Sequence, residues 1–535
     1  MVELVICEGD SGLQLEPSQD STFLYRIGSC VVSGREVIEI NDPARLNAIA
    51  IEIRDEYSQW IYSINKLFLR NKIVSGNLSL FFLTDLSCKR LEFFRTYDTI
   101  CNLILIREKM ESIVVDKITV SGVAPGFLRA CRSIYPDVGT VCLETKENKK
   151  FSNLRRVVSD FRYLYIVAGV GLFNFLSGKG KDYDKYGNGR IYYSVFPQMF
   201  GNDGRELKYA DLVRSGENYL VSIVTDGMHQ IVPMRHYFGI RSKATGNGLN
   251  VIDDHFKITD IAHGIYWILR TLFFFFMTRK ETFDFRGIDI TTFIRGELRF
   301  SLSRVSRLMV VVRAFSRYFE RSKIKEIVYY PVEYPFGRMI SYAVRIASAN
   351  VTRIGYQMGP VSWGRIEEFL AKGEASVNPP FIEKAPIPDR LLVECDRSKK
   401  IFEYAGYRNV SVMGKIYRYW YLDGVQPTSG NNRYLIAPGL HDGELLLSEL
   451  QRYIENNLDK EFIVKPHPRG DSSYLERFSK LSNVKISTEP ISELLGKVAV
   501  VFVTYSSVGV EAEYLGLDVR VVNVPGRINT TPLLQ

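Results

Sequence analysis

The sequence predicts an α/β protein with parallel sheets, in which two Rossmann-like domains face each other across a cleft. Three observations carry this. β-branched apolar runs alternate with longer helical stretches along most of the 535 residues, the pattern of βαβ units. From Arg433 onward the alternation becomes compact and reads β-α-β-α-β-α-β-α-β, with apolar runs such as Phe462-Ile463-Val464 and Val498 to Val503. Polar clusters follow these two runs directly, where open α/β sheets bind ligands.

The first strand is Leu4-Val5-Ile6, and Leu78 to Leu83, Leu103 to Ile106 and Lys117 to Val120 read as further strands. Between them, Asn47 to Phe68 places Ala48, Ile51, Tyr57, Ile61 and Ile64 near helical period. Lys146 to Gly189 is basic and helical, ending in a surface loop at Gly178 to Tyr183. A phosphate-cradling glycine loop is the weaker alternative there, because no GxxxxGK[ST] order is present. Tyr219 to Val224 forms a strand that ends at Thr225-Asp226-Gly227.

Ile265 to Met277 is the most apolar window and contains four consecutive phenylalanines. It falls short of the ~20 apolar residues that span a bilayer. A buried helix is the plain reading, and an interfacial segment seated on a membrane is the other. Arg304 to Lys325 forms a basic helix with Leu308, Val311, Phe315 and Phe319 on its apolar side. Its basic face is expected to be solvated, with anionic lipid headgroups as the alternative. The strands Glu326 to Tyr330, Val351 to Tyr356, Leu391 to Glu394 and Val410 to Gly414 follow. Tyr419 to Asn432 has linker composition. The expected division is therefore 1–418, a linker at 419–432, and a C-terminal domain at 433–535.

Composition narrows the function. A net charge of +9 suits phosphate-bearing substrates or an anionic surface and is too weak to argue for nucleic acid. Seven scattered cysteines without a CxxC pair read as reduced thiols in a cytosolic protein, with neither a disulfide framework nor a zinc site. No basic leader with an apolar core stands at the start, so no signal peptide is expected. Asp253-Asp254-His255 is the best metal-like cluster, and a solvated loop is its plainer reading.

The loop Lys465-Pro466-His467-Pro468-Arg469-Gly470 offers an ammonium, an imidazole and a guanidinium, with two prolines fixing the backbone around His467. The loop Thr504-Tyr505-Ser506-Ser507 offers hydroxyls ahead of a helix whose N-terminal amides suit an anion. Glu511 and Glu513 in that helix could accept hydrogen bonds from ribose hydroxyls. The expected phosphate- and nucleotide-binding set is Gly439, Lys465, His467, Pro468, Arg469, Thr504, Ser506, Ser507 and Glu511.

Lys-Pro-His-Pro followed by Thr-Tyr-Ser-Ser resembles the HP and SS motifs of bacterial GT-B transferases that build capsules, O-antigens and teichoic acids from cytidine-activated donors. Sialyl-, Kdo- and CDP-glycerol-type enzymes belong to this group. The segments Tyr330 to Pro360, Pro388-Asp389-Arg390 and Ala405 to Gly414 also resemble a surface-carbohydrate biosynthesis family linked with nonulosonic acids. The likeness covers Glu326 to Gly526, and where that family carries Gln-His-Gly-Pro this chain has Gln357-Met358-Gly359-Pro360.

The resemblance implies a metal-independent GT-B glycosyltransferase without a cofactor. It would move an acidic sugar from a CMP-activated donor to a glycan or lipid-linked glycan, in the cytoplasm or at the inner face of the cytoplasmic membrane. The phosphate contacts map onto His467, Ser506 and Ser507, and the acceptor cleft onto Gln357 and Gly359. A CDP-glycerol-type polyol-phosphate transferase and a non-catalytic glycan- or nucleotide-binding partner stay open. Inverting transfer needs a base across the cleft. Glu333, between Pro331 and Pro335, is the first candidate and Asp226 the second.

Overall fold

The structure is a computed structural model that describes all residues except 10–11, 18–19, 92–93, 146–152, 180–188, 196, 198–199, 201–205, 214–217, 227–230, 333, 348–349, 376–384, 429–430 and 535. Three parallel sheets organise the described residues. The first comprises β1 (Val2–Glu8), β2 (Ser21–Ile27), β3 (Ile38–Glu39), β4 (Lys117–Val123) and β5 (Gly139–Thr145), in the order β3-β2-β1-β4-β5. The second has β6 (Arg190–Tyr193), β7 (Asn218–Ser222), β8 (Leu249–Val251), β9 (Glu326–Tyr329), β10 (Thr352–Tyr356), β11 (Arg390–Val393) and β12 (Val410–Val412). Its order is β8-β7-β6-β9-β10-β11-β12. The third holds β13 (Arg433–Ile436), β14 (Glu461–Val464), β15 (Val484–Ile486), β16 (Val500–Val503) and β17 (Asp518–Val521), in the order β15-β14-β13-β16-β17.

Each sheet runs outward from its first strand, reverses, and continues with its fourth, the doubly wound order of Rossmann-like units. The second and third are the two facing Rossmann-like domains of the sequence prediction. The first is an addition to it. Residues 1–418 therefore carry two large sheets where a single N-terminal domain was expected. Ser21–Ile27, Ile38–Glu39 and Gly139–Thr145, three of the five strands of this extra sheet, were not among the expected strands.

All nine expected elements of the C-terminal domain are present. Its strands show why. Leu435, Ile463 and Val501 pack into the core on one face, while Ile436, Phe462, Val464, Val500 and Phe502 pack into the core on the other. Side chains alternate across a strand, so runs buried on both faces read as continuous β-branched apolar stretches. Of the expected linker, Tyr417–Leu422 forms a 3₁₀ turn, with Tyr419 and Leu422 buried in that domain's core.

One expected strand is a helix, and of another, Leu78 to Leu83, only Leu78–Ser79 is a strand. Leu103 to Ile106 lies inside helix α1 (Thr96–Lys109), which begins with Asp98 and ends with Arg107 and Lys109, as the helix dipole favours. Leu80–Leu83 is a 3₁₀ turn. Further helices are α2 (Asn153–Ser177), α3 (Asp260–Met277) and α4 (Thr291–Arg321). Helix α4 corrects the solvated-face expectation, because it runs through the core. Its arginines pair with buried carboxylates: Arg304 with Asp85 at 2.8 Å, Arg307 with Asp226 at 3.3 Å, and Arg317 with Asp260. Removing one partner of such a pair typically costs about 3–5 kcal/mol, since the other charge stays buried.

Cys7 and Cys30 form a disulfide across a Cα separation of 6.2 Å, which corrects the expectation that all seven thiols are free. Asp253 is fully buried and accepts from the Val224 and Thr225 amides at 2.7 and 2.8 Å, while Asp254 holds Arg241 at 2.9 Å. That cluster ties β7 to the segment after β8. Among the described residues no group of carboxylates, histidines and cysteines is arranged to hold a metal ion.

Candidate active site

A cavity of about 400 Å³ opens where the three units meet. On one side lie the C-terminal ends of β13, β14 and β16, which supply Gly439 to Asp442, His467 with Arg469, and Thr504 to Ser507. β13 and β16 are the neighbours at which the strand order reverses, the place where doubly wound sheets bind ligands.

Local chemistry fixes these loops. β14 ends at a turn in which the Gly470 amide donates to the His467 carbonyl at 2.9 Å. The Arg469 amide donates to His467 Nδ1 at 3.1 Å, so the ring proton belongs on Nε2. Burial, with Arg469 and His441 adding like charge, pulls the His467 pKa down to about 4. The imidazole is thus a neutral donor at neutral pH. Thr504 donates to Asp442, whose carboxyl burial pushes up to about 6. Ser506 caps helix α6 (Ser507–Tyr514), its oxygen accepting from the Val508 amide at 3.4 Å. Gly439 lies against the loop of β16, where a Cβ would meet the Tyr505 ring at 2.9 Å and Asp442 Oδ1 at 3.0 Å. Only a glycine lets the two loops approach this closely.

The opposite wall comes from the other two units. The first contributes Arg90, Arg95 and Asp98 at the start of α1, and the second contributes Tyr330, Val332, Arg365 and Glu367. The tail beyond β17 closes the cavity with Val524 and Arg527 to Thr530. Five arginines and two histidines face three carboxylates, Asp98, Glu367 and Asp442. An anion entering here loses its water and gains cations. Asp98 stands out electrostatically. Burial pushes its carboxyl up to about 7 against the opposing pull of Arg95, with Glu8 and Glu367 adding negative charge. Its side chain keeps 16% exposure, and Arg527 Nη1 lies 3.9 Å away.

The structure brings together six of the expected donor residues: Gly439, His467, Arg469, Thr504, Ser506 and Ser507 all line the cavity. Pro468 stays exposed beside them. Lys465 instead donates to the Thr488 carbonyl at 3.0 Å. Glu511 is buried and lies 3.8 Å from Arg418, which also grips Glu394. Gln357 is buried in a turn, donating to the Gly359 carbonyl at 2.8 Å and accepting from the Glu394 amide at 3.0 Å, while the neighbouring Pro360 reaches the cavity. Asp226 holds Arg307 and does not line the cavity. Glu333 lies outside the described residues, as do His229 and Gly180 to Tyr183, although Val332 beside Glu333 lines the cavity.

Sequence reasoning missed Asp98, Arg95, Arg365 and Arg527. It also missed His441 and Asp442, which the strand-end rule could have found, because they follow β13 and precede helix α5 (Gly443–Glu455).

No family model matches the chain, and no curated protein matches it. Among solved structures it is similar to the UDP-N-acetylglucosamine 2-epimerase of Rickettsia bellii, at 11% identity and a TM-score of 0.32, covering 65% of this chain and 85% of that one. It is similar to MurG of Acinetobacter baumannii at 10% identity and a TM-score of 0.33, covering 63% and 78% of the two chains. A third is the calicheamicin glycosyltransferase CalG4, at 13% identity and a TM-score of 0.36, covering 64% and 81%.

Proposed function

We propose that the protein is a glycosyltransferase that moves an acidic sugar, a nonulosonate or Kdo, from a CMP-activated donor to a bacterial surface-glycan acceptor. One observation carries this: the phosphate-type loops at His467 and Thr504 to Ser507 share a cavity with a carboxylate from another unit. In this reading His467 Nε2–H, the Ser506 and Ser507 hydroxyls, the amides of α6 and Arg469 bind the donor phosphate. The carboxylate Asp98 takes the proton of the attacking acceptor hydroxyl as the bond to the sugar forms. Electrons of the breaking sugar–oxygen bond leave with the CMP phosphate, where the surrounding cations stabilise them. Glu333, next to cavity-lining Val332, is the second candidate for the base. The acceptor is a glycan on a lipid carrier, and the enzyme works at the inner face of the cytoplasmic membrane.

A CDP-linked polyol-phosphate donor is the second reading, favoured by the five cavity arginines, which suit two phosphates. Calorimetry with CMP and CDP tests both. We expect binding of CMP that His467→Ala weakens by about tenfold or more, together with release of CMP from a CMP-linked acidic sugar. No binding of any cytidine nucleotide would refute the transferase reading. Binding without turnover would point to a non-catalytic partner.

A further inference from the structure

Helix α3 is apolar on both sides. Its inner side, Gly264, Trp267, Ile268, Thr271 and Phe274, packs on the protein. Its outer side carries Ile265, Tyr266, Leu269, Phe273 and Phe276, exposed by 37%, 51%, 61%, 52% and 56%. At 100° per residue these five fall in one stripe along the helix, on the side where a surface helix normally carries polar groups. The neighbouring helix α2 packs on α3, where a Cβ on Gly264 would meet Leu164 and a Cβ on Gly171 would meet the backbone of Lys257 and Ile258. One turn beyond Gly171, Phe175 and Leu176 are exposed by 76% and 75%, as is Ile258 by 49%. Scattered exposed apolar residues are ordinary, but a stripe of this kind marks an interaction surface.

Charge selects the partner. Among the described residues of 157–179 and 257–280 the only carboxylates are Asp160 and Asp260, exposed by 1% and 0%. Every exposed charge in these two stretches is a cation: Arg162, Lys179, Lys257, Arg279 and Lys280. Lys257 precedes the stripe, Arg279 and Lys280 follow it, and Arg279 stacks over Phe276 at 4.4 Å. An apolar stripe with cations at both ends fits the headgroup–acyl boundary of an anionic bilayer. Among the described residues no helix is long and apolar enough to cross a membrane.

We propose that the outer face of α3, with the adjoining end of α2, docks the protein directly on anionic phospholipid, the stripe entering the acyl boundary and the flanking cations meeting the headgroups. This deepens the reading of a membrane-side acceptor but uses no residue of the cavity. The test is co-sedimentation of the full chain with vesicles of phosphatidylglycerol and phosphatidylcholine, beside vesicles of phosphatidylcholine alone, with CMP affinity measured on the same preparations. We expect binding to the anionic vesicles that falls with added salt. Leu269→Ser with Phe273→Ser should weaken it by about tenfold or more, since each buried side chain contributes on that scale. Lys257→Gln with Arg279→Gln and Lys280→Gln should weaken it while leaving CMP affinity unchanged. Equal binding to both kinds of vesicle would overturn the electrostatic half of the proposal. Absence of vesicle binding with intact CMP binding would overturn it whole and leave the donor site standing. A concentration-dependent dimer that the serine variant abolishes, without vesicle binding, would assign the face to a second copy of the chain and overturn it equally.

Discussion

Replacing Asp98 by asparagine separates catalysis from stability in opposite directions. Burial raises this carboxyl from 3.8 to about 7, so between those values the folded chain keeps a proton that the unfolded chain has released. Stability therefore falls as pH rises through that window and is lowest above about 7. At ~1.4 kcal/mol per pH unit the upper bound is on the order of 4 kcal/mol. The side chain keeps 16% exposure and has Arg527 at 3.9 Å, both of which relieve the charged form. A gain of about 1–2 kcal/mol for Asp98→Asn above neutral pH is the expected remainder. Below about pH 4 the two proteins should converge, because the carboxyl is protonated in both states. Transfer should move the other way, slowing by ~10²–10⁴ as a general base is lost, with CMP affinity retained. In the unmodified protein the rate should rise with pH and level off above about 7, and that inflection should vanish in the variant. Urea melts across pH, beside CMP release from a CMP-linked acidic sugar, read both quantities. A variant that turns over at the original rate, or that loses CMP binding together with turnover, refutes the assignment of Asp98 as the base.

Three further outcomes follow from the same geometry. His467 is already neutral at pH values well above about 4, so an inflection of CMP affinity near pH ~6 should come from the phosphate's own second ionisation and persist in His467→Asn; an inflection near pH ~6.5 that His467→Asn removes would contradict the neutral-donor role. Glu511→Ala leaves Arg418 without one of its buried carboxylates and should destabilise the C-terminal domain by about 2–4 kcal/mol with little change in donor affinity; the reverse result in melts and calorimetry would return Glu511 to the ribose. Gly443→Ala drives a Cβ into the Tyr474 ring and hydroxyl at the start of α5, so the ring must move, and a loss of about 1–3 kcal/mol is expected in thermal melts.

The C-terminal domain was legible because its strands are buried on both faces and its loops are short, so apolar runs and polar strand ends fall in strict succession. The polar loops that line the cavity were legible for the same reason: His467 and Ser506 sit where a strand stops. The N-terminal half hid more. Leu103 to Ile106 reads as a strand because a short apolar run cannot reveal its period, and only the flanking Asp98, Arg107 and Lys109 mark it as helical. The arginines of α4 read as a wet face because their partners, Asp85, Asp226 and Asp260, are distant in the chain. Asp98 carried a local signal for a helix start and none for a site. It follows no strand, and its shifted titration arises from burial among groups that the fold assembles, Glu8 and Glu367 among them.

The tail explains how a base from outside the C-terminal domain, as proposed for Asp98, would hold its position. After β17 the chain leaves the donor sheet and lies against both other units. Gly28 donates from its amide to the Pro525 carbonyl at 2.8 Å, the Asn529 amide donates to Asn47 Oδ1 at 2.8 Å, and Ser362 donates to the Thr530 carbonyl at 2.8 Å. Arg527 in this segment lies 3.5 Å from Glu8 and 3.9 Å from Asp98. Each hydrogen bond contributes only about 1 kcal/mol net, yet those to Gly28 and Asn47 must break before the C-terminal sheet can swing away from the first unit. The segment that ends the C-terminal domain therefore also fixes how its strand-end loops sit relative to Asp98. If Asp98 is the base, as proposed, substitutions along Pro525 to Thr530 should alter turnover through the position of the carboxylate, without changing the loops at His467 and Ser506.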